Sequence, residues 1–192
     1  MVKLTENDID RIAELLNQDK IVAMPTDTIY GFSCLATSNK AVKNLCNLKK
    51  CSNEKLFIIL VSKNYDLSKL VSLNDSIKEF VKNNTPNPVT MIVEKNPSLK
   101  LAKNFEIPTI AIRIPDNEFL QKILDKVGFM ISTSCNIHGQ QNLTNPTDII
   151  NTFGSLDGIV ESNTANYNSS STIVDLTTNP HKVIRQGGYI VK

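Results

Sequence analysis

The sequence IVAMPTDTIYGFSCL, residues 21–35, is the most informative stretch of this chain, and its centre is Pro25-Thr26-Asp27-Thr28-Ile29-Tyr30-Gly31. The apolar run at 21–24 predicts a short buried strand, which should end at Pro25 because proline cannot donate to a sheet ladder. Hydroxyls and a carboxylate at the end of a strand can bind a small polar ligand. A turn whose Thr26 and Asp27 satisfy local backbone groups explains the same residues, so both interpretations stay open.

Length and composition predict a single domain spanning residues 1–192, with 41% apolar residues to fill its core. The formal net charge of +2 gives no overall field that would attract nucleic acid or a membrane surface. The cations are eighteen lysines and three arginines, Arg11, Arg113 and Arg185. In a chain that uses lysine almost everywhere, an arginine can indicate a need for a planar, bidentate donor.

The four cysteines contain no CxxC pair, and the chain has only two histidines, which argues against a Cys/His zinc site. Free thiols in a reducing compartment are the better interpretation. The polar N-terminus predicts no signal peptide, and no apolar run approaches the length of a membrane span. We therefore expect a cytoplasmic protein without a membrane partner.

Helical periodicity predicts five helices, which begin near Ile9, Ser38, Asn74, Asn117 and Asn145. Apolar runs predict strands at 21–24, 56–61, 89–93, 109–114, 129–131, 158–161, 172–176 and 183–185. Strands and helices alternate throughout, which indicates an α/β or α+β sheet with helices packed on it. The polar segment 163–171 predicts a loop that is a candidate lid over bound substrate.

Three further segments combine polar groups with a predicted element end. Lys49, Lys50 and Lys55 surround a helix end, where lysines normally stay solvated and complement the helix dipole. Arg113 lies inside an apolar strand, which requires either a carboxylate partner or a ligand. The run Ser132-Thr133-Ser134-Cys135-Asn136 follows another strand, where it forms either a capped turn or a set of donors for phosphate oxygens.

These segments, taken in order, resemble the motifs of the YrdC/Sua5/TsaC family of L-threonylcarbamoyladenylate synthases. The matching segments between residues 21 and 188 are Pro25–Gly31, 49–55, 84–90, 113–115, 132–136 with Gly139, 171–176 and 185–187. Two positions depart from the family pattern. Cys51 stands where the family has the arginine of a Lys-x-Arg segment, and Asn87 replaces the glycine of a Pro-Gly-Pro turn.

The resemblance implies an α/β, YrdC-like twisted mixed sheet with flanking helices around a central electropositive cleft. It implies that L-threonine takes up bicarbonate or CO2, and that the carbamate attacks the α-phosphate of ATP without a protein nucleophile. Threonine would be bound by Thr28, Arg113, Ser132 and Ser171, and ATP by Lys49, Lys55, Thr109, Ser134, Asn136 and Arg185. Mg²⁺ would accompany ATP with no metal site formed by the protein alone.

The product, threonylcarbamoyl-AMP, would serve the N6-threonylcarbamoyladenosine modification of tRNA, with tRNA and the downstream threonylcarbamoyl transferase complex as partners. The position of the chain end after Arg185 is similar to that of the short, TsaC-type members. Because Cys51 cannot replace a guanidinium against a triphosphate, two alternatives remain. One is a paralogue with hydrolytic or other nucleotide activity, and the other is an RNA-binding protein that uses the same cleft.

Overall fold

A computed structural model of the chain describes residues 1–52, 57–162 and 169–192. Within these ranges ten strands form one mixed sheet, with five α-helices and two short 3₁₀ turns at Leu67–Lys69 and Lys103–Phe105. The strands are β1 (Val2–Leu4), β2 (Val22–Met24), β3 (Gly31–Cys34), β4 (Ile58–Val61), β5 (Val89–Glu94), β6 (Thr109–Arg113), β7 (Phe129–Ser134), β8 (Gly158–Val160), β9 (Thr172–Asp175) and β10 (Lys182–Arg185). The helices are α1 (Ile9–Asn17), α2 (Asn39–Lys49), α3 (Asp75–Asn84), α4 (Glu118–Val127) and α5 (Pro146–Thr152).

The strand order across the sheet is β1-β8-β2-β3-β7-β4-β6-β5-β9-β10. β2 and β3 form an antiparallel pair in which Met24 faces Gly31, and the predicted ligand loop joins them. β7 lies beside β3 and continues the antiparallel run to β4, whereas β4 and β6 are parallel. In this order β3 and β7 follow directly after the loop at 25–30, and β4 and β6 lie next across the sheet.

The two faces of the sheet carry separate hydrophobic cores, as the alternation of side chains along β2 illustrates. Val22 and Met24 belong to the core beneath α1 and α4, whereas Ile21 and Ala23 belong to the core beneath α2, α3 and α5. Complete burial of each large aliphatic side chain contributes roughly 1.5–3 kcal/mol, so both faces hold the sheet firmly. The prediction of a mixed α/β sheet flanked by helices is confirmed.

All five predicted helix starts are confirmed, and four of them have side-chain caps, whereas Asp8 before α1 makes no such cap. The side chains of Ser38, Asn74, Asn117 and Asn145 accept a hydrogen bond from the backbone N–H two or three residues later, at 2.8–3.1 Å. No helix in the described ranges is long and apolar enough to cross a bilayer.

The sheet differs from the sequence prediction around the candidate ligand loop. Residues 31–34 form β3, and β7 continues through Ser134, although the polar residues 132–134 predicted a loop after a strand at 129–131. The reason is that β3 and β7 pair with each other from Gly31 opposite Ser134 to Cys34 opposite Ile131. A partner strand so distant in sequence satisfies backbone groups in a segment whose own residues give little strand signal.

Candidate functional site

The loop between β2 and β3 is a hydrogen-bonded turn organised by Thr26. The Thr26 hydroxyl accepts hydrogen bonds from the backbone N–H groups of Thr28 at 3.1 Å and Ile29 at 3.2 Å, and it donates to the Ile29 carbonyl at 2.6 Å. The hydroxyls of Thr26 and Thr28 lie 3.1 Å apart. The predicted local turn is therefore present, and it also places both threonines in the wall of a cavity.

This cavity, which we call the polar cavity, has a volume of about 230 Å³. Its walls are hydroxyls, two guanidinium groups and a few apolar side chains, which come from five strands (β3, β4, β6, β7 and β10) and the loops next to them. The described residues that line it are Thr26, Thr28, Ile29, Gly31, Phe57, Ile58, Arg113, Ser132, Thr133, Ser134, Asn142, Ser170, Ser171 and Arg185. The cavity thus brings together all four residues predicted to bind threonine, along with Ser134 and Arg185 from the predicted ATP set.

Gly31 allows the floor of this cavity to close tightly. A Cβ atom at this position would lie 2.7 Å from the Ser132 hydroxyl oxygen and 3.4 Å from Cγ2 of Thr26. Only glycine lets β3 approach β7 while the Ser132 hydroxyl keeps its place.

Arg113, at the end of β6, forms a buried ion pair with Asp27 of the threonine loop. Its Nη2 lies 3.1 Å from Oδ1 of Asp27, and the two side chains are 5% and 3% exposed. Burial raises the pKa of Asp27 despite its attraction to Arg113. Burial also lowers the pKa of Arg113, with Arg185 lowering it further and Asp27 raising it. Arg113 therefore has the carboxylate partner that one interpretation required, and it also lines the polar cavity. Its binding of a ligand stays a prediction.

Arg185, at the end of β10, lines the same cavity together with Ser170 and Ser171. Its Nη2 donates to the Ser171 carbonyl at 2.8 Å, and the Ser171 hydroxyl lies 2.9 Å from the Thr90 hydroxyl. Gly187 holds this segment close, because a Cβ atom there would lie 2.2 Å from the carbonyl oxygen of Ser170. The C-terminal residues thus position the Ser171 wall of the cavity.

Lys49 is buried rather than solvated, which corrects the ordinary expectation for a lysine at a helix end. It is 1% exposed, and its Nζ donates to the carbonyls of Ser134 at 2.5 Å and Asn136 at 2.8 Å and to Oδ1 of Asn136 at 2.9 Å. The Ser134 hydroxyl donates to the same Asn136 oxygen at 2.6 Å. Lys49 and Asn136 do not line the polar cavity, but they fix the loop that carries Ser134.

A second cavity of about 310 Å³ adjoins the first and is almost entirely apolar. The two cavities share Phe57 and Ile58 at the start of β4, and Thr109 lines the second one. The other lining residues described are Thr90, Ile92, Phe105, Ile110, Ala111 and Ile173. Of the predicted ATP residues, Lys55 lies outside the described residues, as does most of the predicted lid at 163–171.

Several cavity residues were not predicted from the sequence. Phe57 and Ile58 belonged to a run that predicted only a core strand, and Asn142 lies in a segment without a recognised motif. Ser170 was included only as part of the candidate lid at 163–171. Asp27 was interpreted as a ligand-binding carboxylate or as part of a local turn, and its pairing with Arg113 was not predicted. A signal was available there, since a single arginine in an apolar strand requires a carboxylate and Asp27 ends the neighbouring apolar run.

Cys34 and Cys135, two cysteines whose pKa values are shifted, are buried in the core, and burial makes their thiols less reactive. Burial raises the pKa of Cys34, and it raises that of Cys135 well above its ordinary value even though Lys49 opposes the shift. Cys51 is half-buried and packs against the core, with its N–H donating to the Cys46 carbonyl at 3.0 Å. Cys51 does not line either cavity.

Comparison with known proteins identifies relatives that share about 30% sequence identity with this chain. Residues 14–187 match the family model Sua5/YciO/YrdC, described as "Telomere recombination". A putative threonylcarbamoyl-AMP synthase of Methanocaldococcus jannaschii is 29% identical over 192 residues, covering 96% of this chain and 90% of its own length. A threonylcarbamoyl-AMP synthase of Buchnera aphidicola is 31% identical over 176 residues, covering 88% of this chain and 90% of its own.

Solved structures share the fold. The P. abyssi Sua5 structure complexed with L-threonine superposes with a TM-score of 0.87 at 24% identity, covering 97% of this chain. This chain spans only 57% of that longer protein. The E. coli YciO structure gives a TM-score of 0.84 at 23% identity and covers 100% of this chain and 96% of its own. Because the family model matches most of its length, and relatives of similar length share its sequence, this chain belongs to the Sua5/YciO/YrdC family.

Proposed function

We propose that this protein makes threonylcarbamoyl-AMP and pyrophosphate from L-threonine, bicarbonate or CO2, and ATP. The observation that carries the proposal is the polar cavity, where the guanidinium groups of Arg113 and Arg185 meet several hydroxyls beside an apolar cavity. Two neighbouring cations repel each other, so an anionic ligand between them relieves the repulsion. Relatives that cover most of this chain carry the name of this activity.

The amino acid occupies the part of the cavity beside Arg113. The Nε of Arg113 is buried and makes no hydrogen bond with any described residue, so it is available to a carboxylate. The hydroxyls of Thr28 and Ser132 border the same space and can bind the polar groups of threonine. Ser171, which is hydrogen-bonded to Thr90, completes this side. The structure of a related Sua5 contains L-threonine, which accords with an amino-acid substrate.

The nucleotide lies between the two cavities. The apolar cavity beside Phe57 and Thr109 suits the flat face of a nucleobase, and the adjoining polar cavity suits phosphate oxygens. Arg185 and Ser134 face the phosphates in this arrangement, while Lys49 and Asn136 hold the Ser134 loop. Lys55, like Thr109, keeps its predicted role in ATP binding.

The chemistry then proceeds without a protein nucleophile. The threonine amine adds to the carbon of CO2 and loses a proton, which gives a carbamate. A carbamate oxygen attacks the α-phosphorus of ATP, the bond to the β-phosphate oxygen breaks, and pyrophosphate leaves. The protein contributes by positioning the two reactants and by stabilising negative charge with guanidinium and hydroxyl groups.

Magnesium enters as part of the MgATP substrate. Among the described residues that line the polar cavity there is no carboxylate, so the lining offers hydroxyls rather than a charged ligand set. The ATP phosphates would carry the ion, whose charge neutralises the triphosphate. The product would serve tRNA modification through a threonylcarbamoyl transferase complex.

The test is incorporation of ¹³C-bicarbonate into a nucleotide product, followed by mass spectrometry, with Arg113→Lys as the matched variant. We expect a labelled threonylcarbamoyl-AMP from the wild type and at least tenfold less from the variant, because lysine cannot bind a carboxylate through two parallel bonds. A protein that hydrolyses ATP without labelled product would be a hydrolytic paralogue. Binding of RNA that weakens steeply with salt, without any turnover of ATP, would instead favour an RNA-binding protein.

A further inference from the structure

Asp27 occupies an unusual position in the threonine loop. The residues on either side of it, Thr26 and Thr28, line the polar cavity, whereas Asp27 does not. Its side chain is buried and contacts the guanidinium of Arg113, with Oδ1 lying 3.1 Å from Nη2. The loop therefore presents hydroxyls to the cavity and a carboxylate to the arginine that lines it.

Stability alone does not explain this ion pair. Removing a carboxylate and a guanidinium from water costs several kcal/mol per ion, and mutual attraction offsets this only when hydrogen bonding is good. Here the Asp27 oxygens make no hydrogen bond of good geometry, although the backbone N–H groups of Asp27 and Asp116 lie near enough to lower its pKa, and the Nε of Arg113 has no partner among the described residues. Apolar pairs of similar volume often stabilise a fold as well as a buried ion pair does, so packing alone does not account for these charges.

The sheet order shows what the pair connects. Asp27 follows β2 and Arg113 ends β6, and three strands (β3, β7 and β4) lie between them. The pair thus joins the threonine loop to the far side of the cavity. Its contact uses Nη2 of Arg113 and leaves Nε without a partner among the described residues.

Arg185 adds to the need for such an anchor, because both guanidinium groups line the same cavity. Burial is the main cause that lowers the pKa of Arg113, Asp27 opposes it, and the charge of Arg185 lowers it further. Without a fixed negative charge, repulsion would drive Arg113 into rotamers that point away from Arg185. Asp27 is the carboxylate that contacts Arg113 in the described part of the chain.

We propose that Asp27 is a positioning residue, which holds Arg113 through Nη2 so that its remaining N–H groups receive the carboxylate of the amino-acid substrate. The inference rests on the proposed function, because the carboxylate in question is that of the proposed threonine. Asp27 itself does not touch the substrate and acts through Arg113.

The kinetic test uses Asp27→Asn, which removes the charge and keeps the size, with Asp116→Asn as the matched control. Asp116 is an exposed carboxylate just beyond β6 whose charge also acts on Asp27. For Asp27→Asn we expect the KM for threonine to rise about tenfold, while the KM for ATP stays within twofold. For the control, both constants stay within twofold of the wild type.

A spectroscopic test follows the arginine directly, because the chain contains only three arginines. Arginine-selective ¹⁵N labelling gives at most three Nε–H signals, and Arg113→Lys identifies the one from Arg113. We expect this signal to be sharp in the wild type and to shift when L-threonine is added. In Asp27→Asn it broadens or exchanges with water, since the guanidinium then samples several orientations.

The outcomes separate the inference from the proposed function. A wild type whose Arg113 signal and turnover ignore threonine contradicts the proposed function. A threonine-dependent wild type with an unchanged or lower threonine KM in Asp27→Asn, and an unchanged Arg113 signal, overturns the role of Asp27 alone. If Asp27→Asn does not fold, Asp27→Glu decides: a raised threonine KM supports the inference, and a wild-type value overturns it.

Discussion

Replacing Gly187 by alanine tests how the C-terminal residues support the site. A Cβ atom at Gly187 would lie 2.2 Å from the carbonyl oxygen of Ser170, 2.5 Å from the carbonyl carbon of Ser171 and 2.6 Å from the nitrogen of Thr172. Ordinary contacts between such atoms are about 3.5 Å, so the shortest contact is too close by about 1 Å. All three are backbone atoms, and no rotation of a side chain can relieve the clash.

The magnitude follows from what the segment 170–172 must give up when it moves. Thr172 N–H donates to the Pro88 carbonyl at 3.0 Å, the Ser171 hydroxyl lies 2.9 Å from that of Thr90, and Arg185 donates to the Ser171 carbonyl at 2.8 Å. At about 1 kcal/mol for each hydrogen bond, their loss lowers the free energy of unfolding by about 2–3 kcal/mol. Overpacking typically costs 1–3 kcal/mol, which agrees.

The assay combines thermal unfolding with kinetics. A loss of this size in a chain of 192 residues lowers Tm by about 5–10 °C. Displacing Ser171 and Arg185 by about 1 Å lowers kcat/KM for threonine at least tenfold, since misplacement of that order can reduce a rate a hundredfold. The control is Gly154→Ala, because the nearest atom to a Cβ there is 4.0 Å away. A Gly187→Ala protein with wild-type Tm and activity would refute the reasoning.

Three further changes test other parts of the site. Gly31→Ala displaces the Ser132 hydroxyl, which would lie 2.7 Å from the new Cβ; one lost hydrogen bond of about 1 kcal/mol raises the KM for threonine about fivefold, and an unchanged KM contradicts this. Cys51→Arg restores the cation of the family motif. Although Cys51 does not line either cavity, the longer side chain of arginine is expected to reach a phosphate and to lower the KM for ATP about tenfold through a charge-assisted bond. No change in ATP kinetics would show that an arginine at this position does not reach the nucleotide. The pKa of Asp27 is raised in the folded protein, so its protonated form stabilises the fold. This stabilisation is complete at pH values below 3.8, the ordinary pKa, and is lost progressively as the pH rises through the raised pKa. Urea unfolding at a series of pH values should therefore show the wild type losing stability relative to Asp27→Asn as the pH rises from about 3.8, and a difference that grows in favour of the wild type would contradict the assignment.

The sequence predicted the helices and most of the strands, because helix caps and runs of apolar residues are local signals. The helices that begin after Ser38, Asn74, Asn117 and Asn145 carry their caps in the sequence. The strand β3 could not be predicted in this way, because Gly31 and Ser33 carry little strand propensity and are held by pairing with β7.

The site shows the same division between local and distant signals. The position of Arg113 in an apolar strand predicted a partner or a ligand, but its pairing with Asp27 depends on the order of five strands across the sheet. For Lys49 the ordinary expectation of a solvated lysine was wrong. Its acceptors at Ser134 and Asn136 are distant in sequence, so its burial could not be predicted from the local pattern. Motifs therefore predicted candidate residues, several of which line the polar cavity, and only the topology showed which of them contact each other.

The most direct measurement is the release of pyrophosphate from MgATP by the wild-type protein, with and without L-threonine and bicarbonate. The account predicts that release requires both compounds, and that omitting either one reduces it to background. Release that is independent of threonine, or ATP that does not bind at all, would contradict the proposed synthase chemistry and leave the family relationship as one of fold.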